Sequence, residues 1–271
     1  MTLRIASLGM YDHPAQQGAN DRLWAGIAAA LRESGVGDVP DRLDRTRPVQ
    51  AIWRDPALLF GQACGYPLLA DSTLALRVLA FPVYAPGPVH AAEESGSVVV
   101  ARRDDPRTAL SDFRGARAAI NDRQSNTGMN LFRATLAPIA WEAAVFARVI
   151  ETGAHRASIA AIVAGEADIA AIDVVTLAAL ARFEPALTDA LKTVARSPAS
   201  PTLPFVTAAS TDADTVVALR RALDRVIADP ALEQARATLF LAGVVPGDTA
   251  TLAPLARLAT DAARAGYPDL R

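Results

Sequence analysis

Short apolar segments alternate with segments of helical periodicity along almost the whole chain, and this alternation constrains the fold more than any other feature. Residues 144–173 give the clearest case: a strand, a polar loop, a helix that ends at Gly165 and a second apolar strand that ends at Asp173. Near the N-terminus, Leu23, Trp24, Ile27, Ala28 and Leu31 recur at helical spacing. Strands that alternate with helices predict an α/β architecture with largely parallel sheets.

Two segments rich in proline and small residues interrupt this alternation. Residues 85–97 read APGPVHAAEESGS and residues 197–208 read SPASPTLPFVTA, a composition typical of connections rather than of regular elements. We therefore expect lobe 1 to contain residues 1–88 and 200–271, with residues 89–199 inserted as lobe 2. In lobe 1, the pair Asp55-Pro56 predicts the start of a helix that ends near Gly65.

Composition excludes several classes of function. The 271 residues include 27 basic and 29 acidic side chains, for a net charge of -2, so the balance of charge gives no reason to expect nucleic acid as a partner. Because no run of about 18 apolar residues occurs, we expect no membrane span. The chain enters its first strand pattern at Arg4 without a leader, which predicts a cytoplasmic protein, or a periplasmic one if a leader has been removed.

The residues typical of metal centres and catalysis are scarce. Cys64 is the single cysteine, and the three histidines lie far apart at positions 13, 90 and 155, so neither a metal site nor a cofactor is predicted. The chain contains no nucleotide P-loop, no dinucleotide-binding glycine motif, no zinc-protease motif and no nucleophile elbow. We therefore predict no catalytic residue.

Polar residues instead gather where predicted strands give way to helices. Ser125, Asn126, Thr127 and Gly128 follow the strand that ends at Ile120 and precede a helix. In open parallel sheets, ligands bind beyond the carboxyl ends of the strands, and helix N-termini favour anions. The cluster therefore fits an anion site, in which Gly128 allows close approach to the backbone; ordinary helix capping is the alternative.

Two further clusters occupy equivalent positions. His155 and Ser158 lie at the start of the helix after the next strand, and Asp173 ends the strand after that. His155 and Ser158 could point donors at the same site, although a histidine at a helix start also fits a surface or capping role. Asp173 could receive a cationic group or a hydroxyl of a ligand, or cap the helix that comes after it.

Five segments of the chain together resemble a known family. They are ASLGMYD, DPALLFGQACGYPL, RGARAAINDRQSNTGMN, ETGAHRASIAAIVAGEADIAAID and PTLPFVTA. Their order is similar to that of the PhnD-like substrate-binding proteins, which serve phosphate, phosphite and phosphonate ABC importers. The resemblance implies the type 2 periplasmic-binding-protein fold, with two lobes, each a mostly parallel sheet flanked by helices, and a cleft between them.

The resemblance also implies roles for particular residues. The phosphonate oxygens would be held by Ser125, Asn126 and Thr127, and His155 matches the family's histidine at the same site. Asp173 matches the family's strand-end aspartate, which is associated with the amino group of aminophosphonates.

In lobe 1, Tyr11 and Tyr66 match aromatic positions that line the cleft. Asn126 replaces a small hydroxyl residue that is common in the family, and Arg156 stands beside the predicted site. We expect these two residues to make the ligand unusual.

We therefore predict a non-catalytic binding protein that closes around a small anion, most readily a phosphonate or phosphate-like compound, as the binding component of an ABC importer. Its partners would be that ligand and an ABC permease. Two alternatives remain open at this stage. One is a biosynthetic enzyme on the same fold, similar to those of menaquinone or thiamine-precursor pathways, with His155 or Asp173 as acid or base. The other is a cytoplasmic ligand sensor.

Overall fold

The structure is a computed structural model that describes residues 4–85, 95–140 and 144–271. The chain forms two compact units. The first contains Met1–Ala85 and Thr202–Leu252, and the second contains Pro86–Pro201 and Ala253–Arg271. Most of the predicted first connection, residues 86–94, lies outside the described residues. No helix within the described ranges is long and apolar enough to cross a membrane.

Strands and helices alternate through both units, as predicted. The strands are β1 (Ile5–Ser7), β2 (Leu58–Gln62), β3 (Leu76–Tyr84), β4 (Ser97–Arg102), β5 (Arg117–Ile120), β6 (Arg148–Glu151), β7 (Ile169–Asp173), β8 (Leu191–Arg196), β9 (Phe205–Ala208) and β10 (Leu241–Pro246). The helices are α1 (Gln17–Glu33), α2 (Val49–Trp53), α3 (Gly65–Ala70), α4 (Leu131–Ala140), α5 (His155–Val163), α6 (Val174–Phe183), α7 (Pro185–Thr188), α8 (Ala213–Ala228), α9 (Glu233–Thr238) and α10 (Ala253–Arg264).

The first unit is built on a sheet with the strand order β1-β2-β9-β3-β10. The helical periodicity that predicts α1 is confirmed: its apolar face is buried, and Trp24 stacks on Phe60 of β2 with ring centroids 5.8 Å apart. Phe60 also packs against Phe205 of β9, with ring centroids 5.2 Å apart. These aromatic contacts place the core of the unit between α1 and the middle of the sheet.

The helix predicted from Asp55 is wrong. Residues 58–62 form β2, in which every residue is buried, and the helix α3 begins only at Gly65. Asp55 does accept a backbone hydrogen bond, from the N–H of Ala57 at 2.9 Å, but this is an Asx turn that leads into a strand. An Asp-Pro pair therefore indicates a chain reversal here, and the pairing of the next residues with two neighbouring strands makes them a strand rather than a helix.

The second unit has the strand order β6-β5-β7-β4-β8. Strand β5 is parallel to both of its neighbours, with Ala118 opposite Val149 of β6 and opposite Ile169 of β7. The carboxyl ends of β5, β6 and β7 therefore lie at the same edge of this sheet. Strand β4 runs in the opposite direction and pairs with β7 and β8.

Both sheets are mixed rather than mostly parallel in their pairing. Among the described strands, the parallel pairs are β1–β2, β5–β6 and β5–β7, whereas β4 and β9 are antiparallel to both of their neighbours. Strands β4 and β9 are the first strands after the chain passes from one unit to the other. Because no helical crossover within their own sheet precedes them, they are not constrained to be parallel.

The C-terminal segment differs from the predicted division of the chain. Residues 253–271, which we expected in lobe 1, pack with the second unit. Tyr267 is fully buried there, and the carbonyl of Arg271 accepts a hydrogen bond from Val145 N at 2.7 Å. Helical periodicity shows that α10 has an apolar face, but it does not show which core that face covers.

Candidate ligand-binding site

The loops that come after β5 and β6 are joined directly by backbone hydrogen bonds. Thr152 N donates to Ile120 O, and Gly153 N donates to Asn121 O, each at 2.9 Å. The parallel register of β5 and β7 brings the end of β7 to the same edge. The second unit therefore gathers the three polar clusters at the ends of its parallel strands; their role in binding a ligand stays a prediction.

Residues 125–130, here called the Ser125 loop, form a capped turn at the start of α4. Ser125 is the N-cap of a π-helical turn, Asn126–Asn130, and its Oγ accepts a hydrogen bond from Gly128 N at 3.0 Å. All residues of the loop are buried. The first N–H groups of a helix have no acceptor within it, so the loop concentrates donors at a buried helix start, an arrangement that favours an anion.

Gly128 is required by close packing within this loop. A Cβ atom at position 128 would lie 1.8 Å from Oδ1 of Asn121 and 3.1 Å from Cε1 of His155. Any larger residue would displace the side chain of Asn121 or press on the imidazole ring. The glycine therefore lets the Ser125 loop, the end of β5 and the start of α5 approach one another.

His155 is hydrogen-bonded to the Ser125 loop through Thr127, whose Oγ1 lies 3.0 Å from His155 Nε2. Burial lowers the pKa of His155 from 6.5 to about 4 because it disfavours the charged ring, and the backbone of Ala171 offsets only part of this effect. Within the described parts of the chain, no hydrogen bond of ordinary geometry reaches the buried Nδ1 atom. At neutral pH, His155 therefore offers a neutral ring rather than a positive charge.

Ser158 lies at the same end of the unit, but it faces the loop before α5. Its Oγ shares a hydrogen bond with Thr152 Oγ1 at 2.7 Å and donates to Ala154 O at 3.4 Å. Ser158 is fully buried, and none of the hydrogen bonds found between described residues joins its side chain to the Ser125 loop. The structure thus shows Ser158 fixing the loop before α5.

Asp173 caps α6, as one of the two sequence interpretations predicts. Its Oδ1 accepts hydrogen bonds from the backbone N–H groups of Val175 and Thr176, each at 2.9 Å, and the residue is 2 % exposed. Ser97 lies opposite Asp173 in the β4–β7 ladder and donates its Oγ hydrogen to Thr127 O at 2.7 Å. Ser97 therefore connects the end of β7 with the Ser125 loop, a contact that the sequence did not indicate.

Tyr11 and Tyr66 belong to the first unit and lie just beyond the carboxyl ends of neighbouring parallel strands. Tyr11 ends a 3₁₀ turn after β1, and Tyr66 lies in the first turn of α3 after β2. Tyr11 packs edge-to-face on Tyr84, with centroids 5.5 Å apart, and Tyr84 Oη accepts a hydrogen bond from Gln62 Nε2 at 2.9 Å. The sequence does not indicate these contacts of Tyr84 and Gln62, because both residues lie within strands rather than in loops.

Arg156 is paired with a carboxylate on another helix end, and its effect on the choice of ligand stays a prediction. Its guanidinium forms a two-pronged ion pair with Glu184, with contacts of 2.6 to 3.0 Å, and its side chain is 57 % exposed. The hydrogen bonds to Glu184 raise the pKa of Arg156 above its ordinary value. The described residues contain no group of three or more His, Cys, Asp or Glu side chains arranged to hold a metal ion.

Two α/β units, each with helix starts at the carboxyl edge of a mixed sheet, are characteristic of the type 2 periplasmic-binding-protein class. Solved structures of this class match almost the full length of the chain. PhnD1 from Prochlorococcus marinus in complex with methylphosphonate has a TM-score of 0.75 and 15% identity, over 96% of this chain and 97% of that one.

Two other structures show the same fold. A binding protein component of an ABC phosphonate transporter from Pseudomonas aeruginosa has a TM-score of 0.72 and 16% identity, over 91% of this chain and 82% of that one. A Xanthomonas citri protein bound to ATP has a TM-score of 0.70 and 18% identity, over 97% of each chain. No curated protein sequence is significantly similar to this chain.

The family is shown by the sequence itself. The model of the family described as ABC transporter, phosphonate, periplasmic substrate-binding protein matches residues 58–252. The chain belongs to this family of substrate-binding proteins. Members of the family are non-catalytic binding components of ABC transporters, so the enzyme alternative is set aside.

Proposed function

We propose that this chain binds a small phosphonate or phosphate-like anion at the Ser125 loop and delivers it to an ABC importer. The observation that carries the proposal is the capped π-helical turn Asn126–Asn130, buried at the carboxyl edge of a sheet and joined to His155 through Thr127. Membership of the phosphonate-binding family supports the same class of ligand.

Neutral donors make the direct contacts to the anion in this proposal. Ser125, Asn126 and Thr127 are 6%, 2% and 5% exposed, and hydrogen bonds in such surroundings are stronger than in water. His155 is uncharged at neutral pH because its pKa is about 4. The anion would therefore be held by N–H and O–H dipoles, and the carboxylate of Asp173 would favour ligands that also carry an amino group.

Isothermal titration calorimetry with four ligands tests the proposal: methylphosphonate, an aminophosphonate, inorganic phosphate and ATP. We expect at least one of the three small anions to bind more tightly than ATP. Preference for ATP, or no binding of any small anion, would refute the proposed ligand class.

Thr127→Val tests the assigned loop. A hydrogen bond to a charged group contributes about 1.5–3 kcal/mol, so the variant should bind roughly ten- to a hundredfold more weakly. Thr260→Val is the matched control, because Thr260 is exposed on α10 of the same unit and its hydroxyl bonds only to Ala256 O among the described contacts. If Thr127→Val and Thr260→Val bind the ligand equally tightly, the ligand does not bind at the Ser125 loop.

The transport role can be tested separately from binding. We propose a periplasmic protein whose partner is an ABC permease, as the family implies. With a phosphonate importer reconstituted in lipid vesicles, the ligand-loaded chain should stimulate ATP hydrolysis more than the ligand-free chain does. Tight binding without stimulation of the importer of the same organism would instead favour a ligand sensor.

A further inference from the structure

Four side chains of the second unit form a hydrogen-bonded series that passes through the Ser125 loop. Arg133 Nη2 donates to Asn130 Oδ1 at 2.7 Å, and Asn130 Nδ2 donates to Asn126 Oδ1 at 3.1 Å. Asn126 Nδ2 then donates to Ser200 Oγ at 2.9 Å, and Ser200 Oγ donates to the carbonyl of Pro201 at 2.9 Å. We call these residues the Arg133 series. In each of these hydrogen bonds, the donor belongs to the residue nearer to Arg133 in the series and the acceptor to the next one.

Arg133 fixes the direction of this series. A guanidinium group can only donate, so the carboxamide of Asn130 must turn its oxygen toward Arg133 and its NH₂ group toward Asn126. The same NH₂ group also reaches the carbonyl of Leu255 at 3.3 Å. Asn126 is then oriented by Asn130, and hydrogen bonds aligned in this way polarise one another.

Among the residues that the structure describes, the charge of Arg133 has no carboxylate partner. The residue is 7% exposed, and its guanidinium donates to Asn130 and to the carbonyl of Pro268. Among the described residues, its Nε atom is buried without a hydrogen-bond partner. Burying a charge without a counter-charge is costly, and none of the described carboxylates offsets that cost for Arg133.

We propose that Arg133 is a positioning residue that determines specificity for anions, acting through Asn130 and Asn126 on the Ser125 loop. It holds both carboxamides in one orientation, and its buried positive charge favours an anion at the donors of the loop. This inference rests on the proposed function for its ligand, but the orientation of the carboxamides does not depend on any ligand.

The series also connects the loop to the place where the chain leaves the unit. Pro201 is the last residue before the chain passes to the first unit, and Leu255 comes shortly after the chain returns. The first segment receives a hydrogen bond from Asn126 at Ser200, and the second receives one from Asn130 at Leu255.

The first experiment uses the ligand-free protein and measures hydrogen exchange of asparagine side-chain NH₂ groups by NMR. In the wild type, the NH₂ signals of Asn126 and Asn130 should exchange slowly. In Arg133→Met, both should exchange at least tenfold faster, because the fixed acceptor orientation is lost. Unchanged exchange in this variant would overturn the positioning role.

The second experiment measures the affinity for inorganic phosphate and for methylphosphonate on either side of the second ionisation of each ligand. Arg133→Met should weaken binding of the dianion by about tenfold more than binding of the monoanion, whereas Arg133→Lys should keep most of the wild-type preference. A structural role alone would weaken both forms equally, and that result would overturn the inference. Arg103→Met is the control, since Arg103 is exposed and donates to the backbone carbonyl of Asp189.

If Arg133→Met does not fold, Asn130→Asp decides the question. Its carboxylate would accept the hydrogen bond of Arg133 and neutralise the guanidinium, so the preference for the dianion should disappear; a retained preference would overturn the inference. Failure of the wild type to bind phosphate or methylphosphonate would refute the proposed function, whereas the NMR experiment would still decide the positioning role.

Discussion

The buried imidazole of His155 should make the second unit sensitive to mild acid. In the folded protein its pKa is about 4, against an ordinary value of 6.5, chiefly because burial disfavours the charged ring. Between these two pH values the unfolded chain takes up a proton that the folded chain does not. The free energy of unfolding is therefore not reduced by His155 above pH 6.5, and it decreases as the pH falls toward 4.

The size of this effect is set by the difference between the two pKa values. At about 1.4 kcal/mol per pH unit, the shift of His155 corresponds to roughly 3 kcal/mol, most of which should be lost by pH 4.5. His155→Gln removes the titration and keeps an amide that can bond to Thr127. The free energy of unfolding of the wild type, relative to this variant, should therefore fall by about 2–3 kcal/mol between pH 7 and pH 4.5.

Native-state hydrogen exchange is the suitable assay, because two units can unfold separately and a single unfolding curve would mix them. Amides of α5 and β7 report the second unit. The same measurement on His13→Gln, in the first unit, gives the baseline for removing a histidine. An NMR titration of the folded protein that placed the pKa of His155 near 6.5 would refute the argument. A difference in the free energy of unfolding between wild type and His155→Gln that does not vary with pH would refute it as well.

Substitutions at three other positions test single contacts. Gly128→Ala should lower thermal stability by about 1–3 kcal/mol and weaken anion binding, because the added methyl group meets Asn121 Oδ1 at 1.8 Å; wild-type affinity would contradict the packing argument. Asp173→Ala should lower the free energy of unfolding by about 1–2 kcal/mol in thermal denaturation, because it removes the cap of α6. Asp173→Asn should keep most of that stability, but it should lose any preference for an aminophosphonate over methylphosphonate. Arg156→Ala should change stability by at most about 1 kcal/mol and leave the affinity unchanged, because its partner is Glu184 at the surface; a tenfold loss of affinity would show that the ion pair acts on the site.

Local sequence signals predict those parts of the fold that depend on neighbouring residues. The helix α1 is predicted by the spacing of Leu23, Trp24 and Ile27, and Ser125 is recognisable as a cap because it directly precedes a helix pattern. The position of the three polar clusters at one edge is also predictable from alternation, since consecutive parallel strands end on the same side. The role of these clusters in binding remains a prediction.

The features that escaped prediction depend on residues far apart in the chain. Asn126 reaches Ser200, and Arg133 reaches the carbonyl of Pro268; neither contact can be inferred from spacing. Ser97 is positioned by its register against Asp173, which the sequence does not specify. Arg156 is adjacent to His155 in sequence, yet its side chain turns to Glu184 because a carboxylate is available there.

The packing of residues 253–271 against the second unit has a consequence for the order of folding during synthesis. The first unit has all of its residues once Leu252 has been made, but the second unit still lacks α10, Tyr267 and Arg271 at that point. In ribosome-bound chains that carry residues 1–252 followed by a linker long enough to hold residue 252 outside the exit tunnel, we expect the first unit to resist protease while the second unit is still cleaved. Equal protection of both units at that length would contradict this expectation. The unit that carries the Ser125 loop would thus complete its fold after the first unit has completed its own.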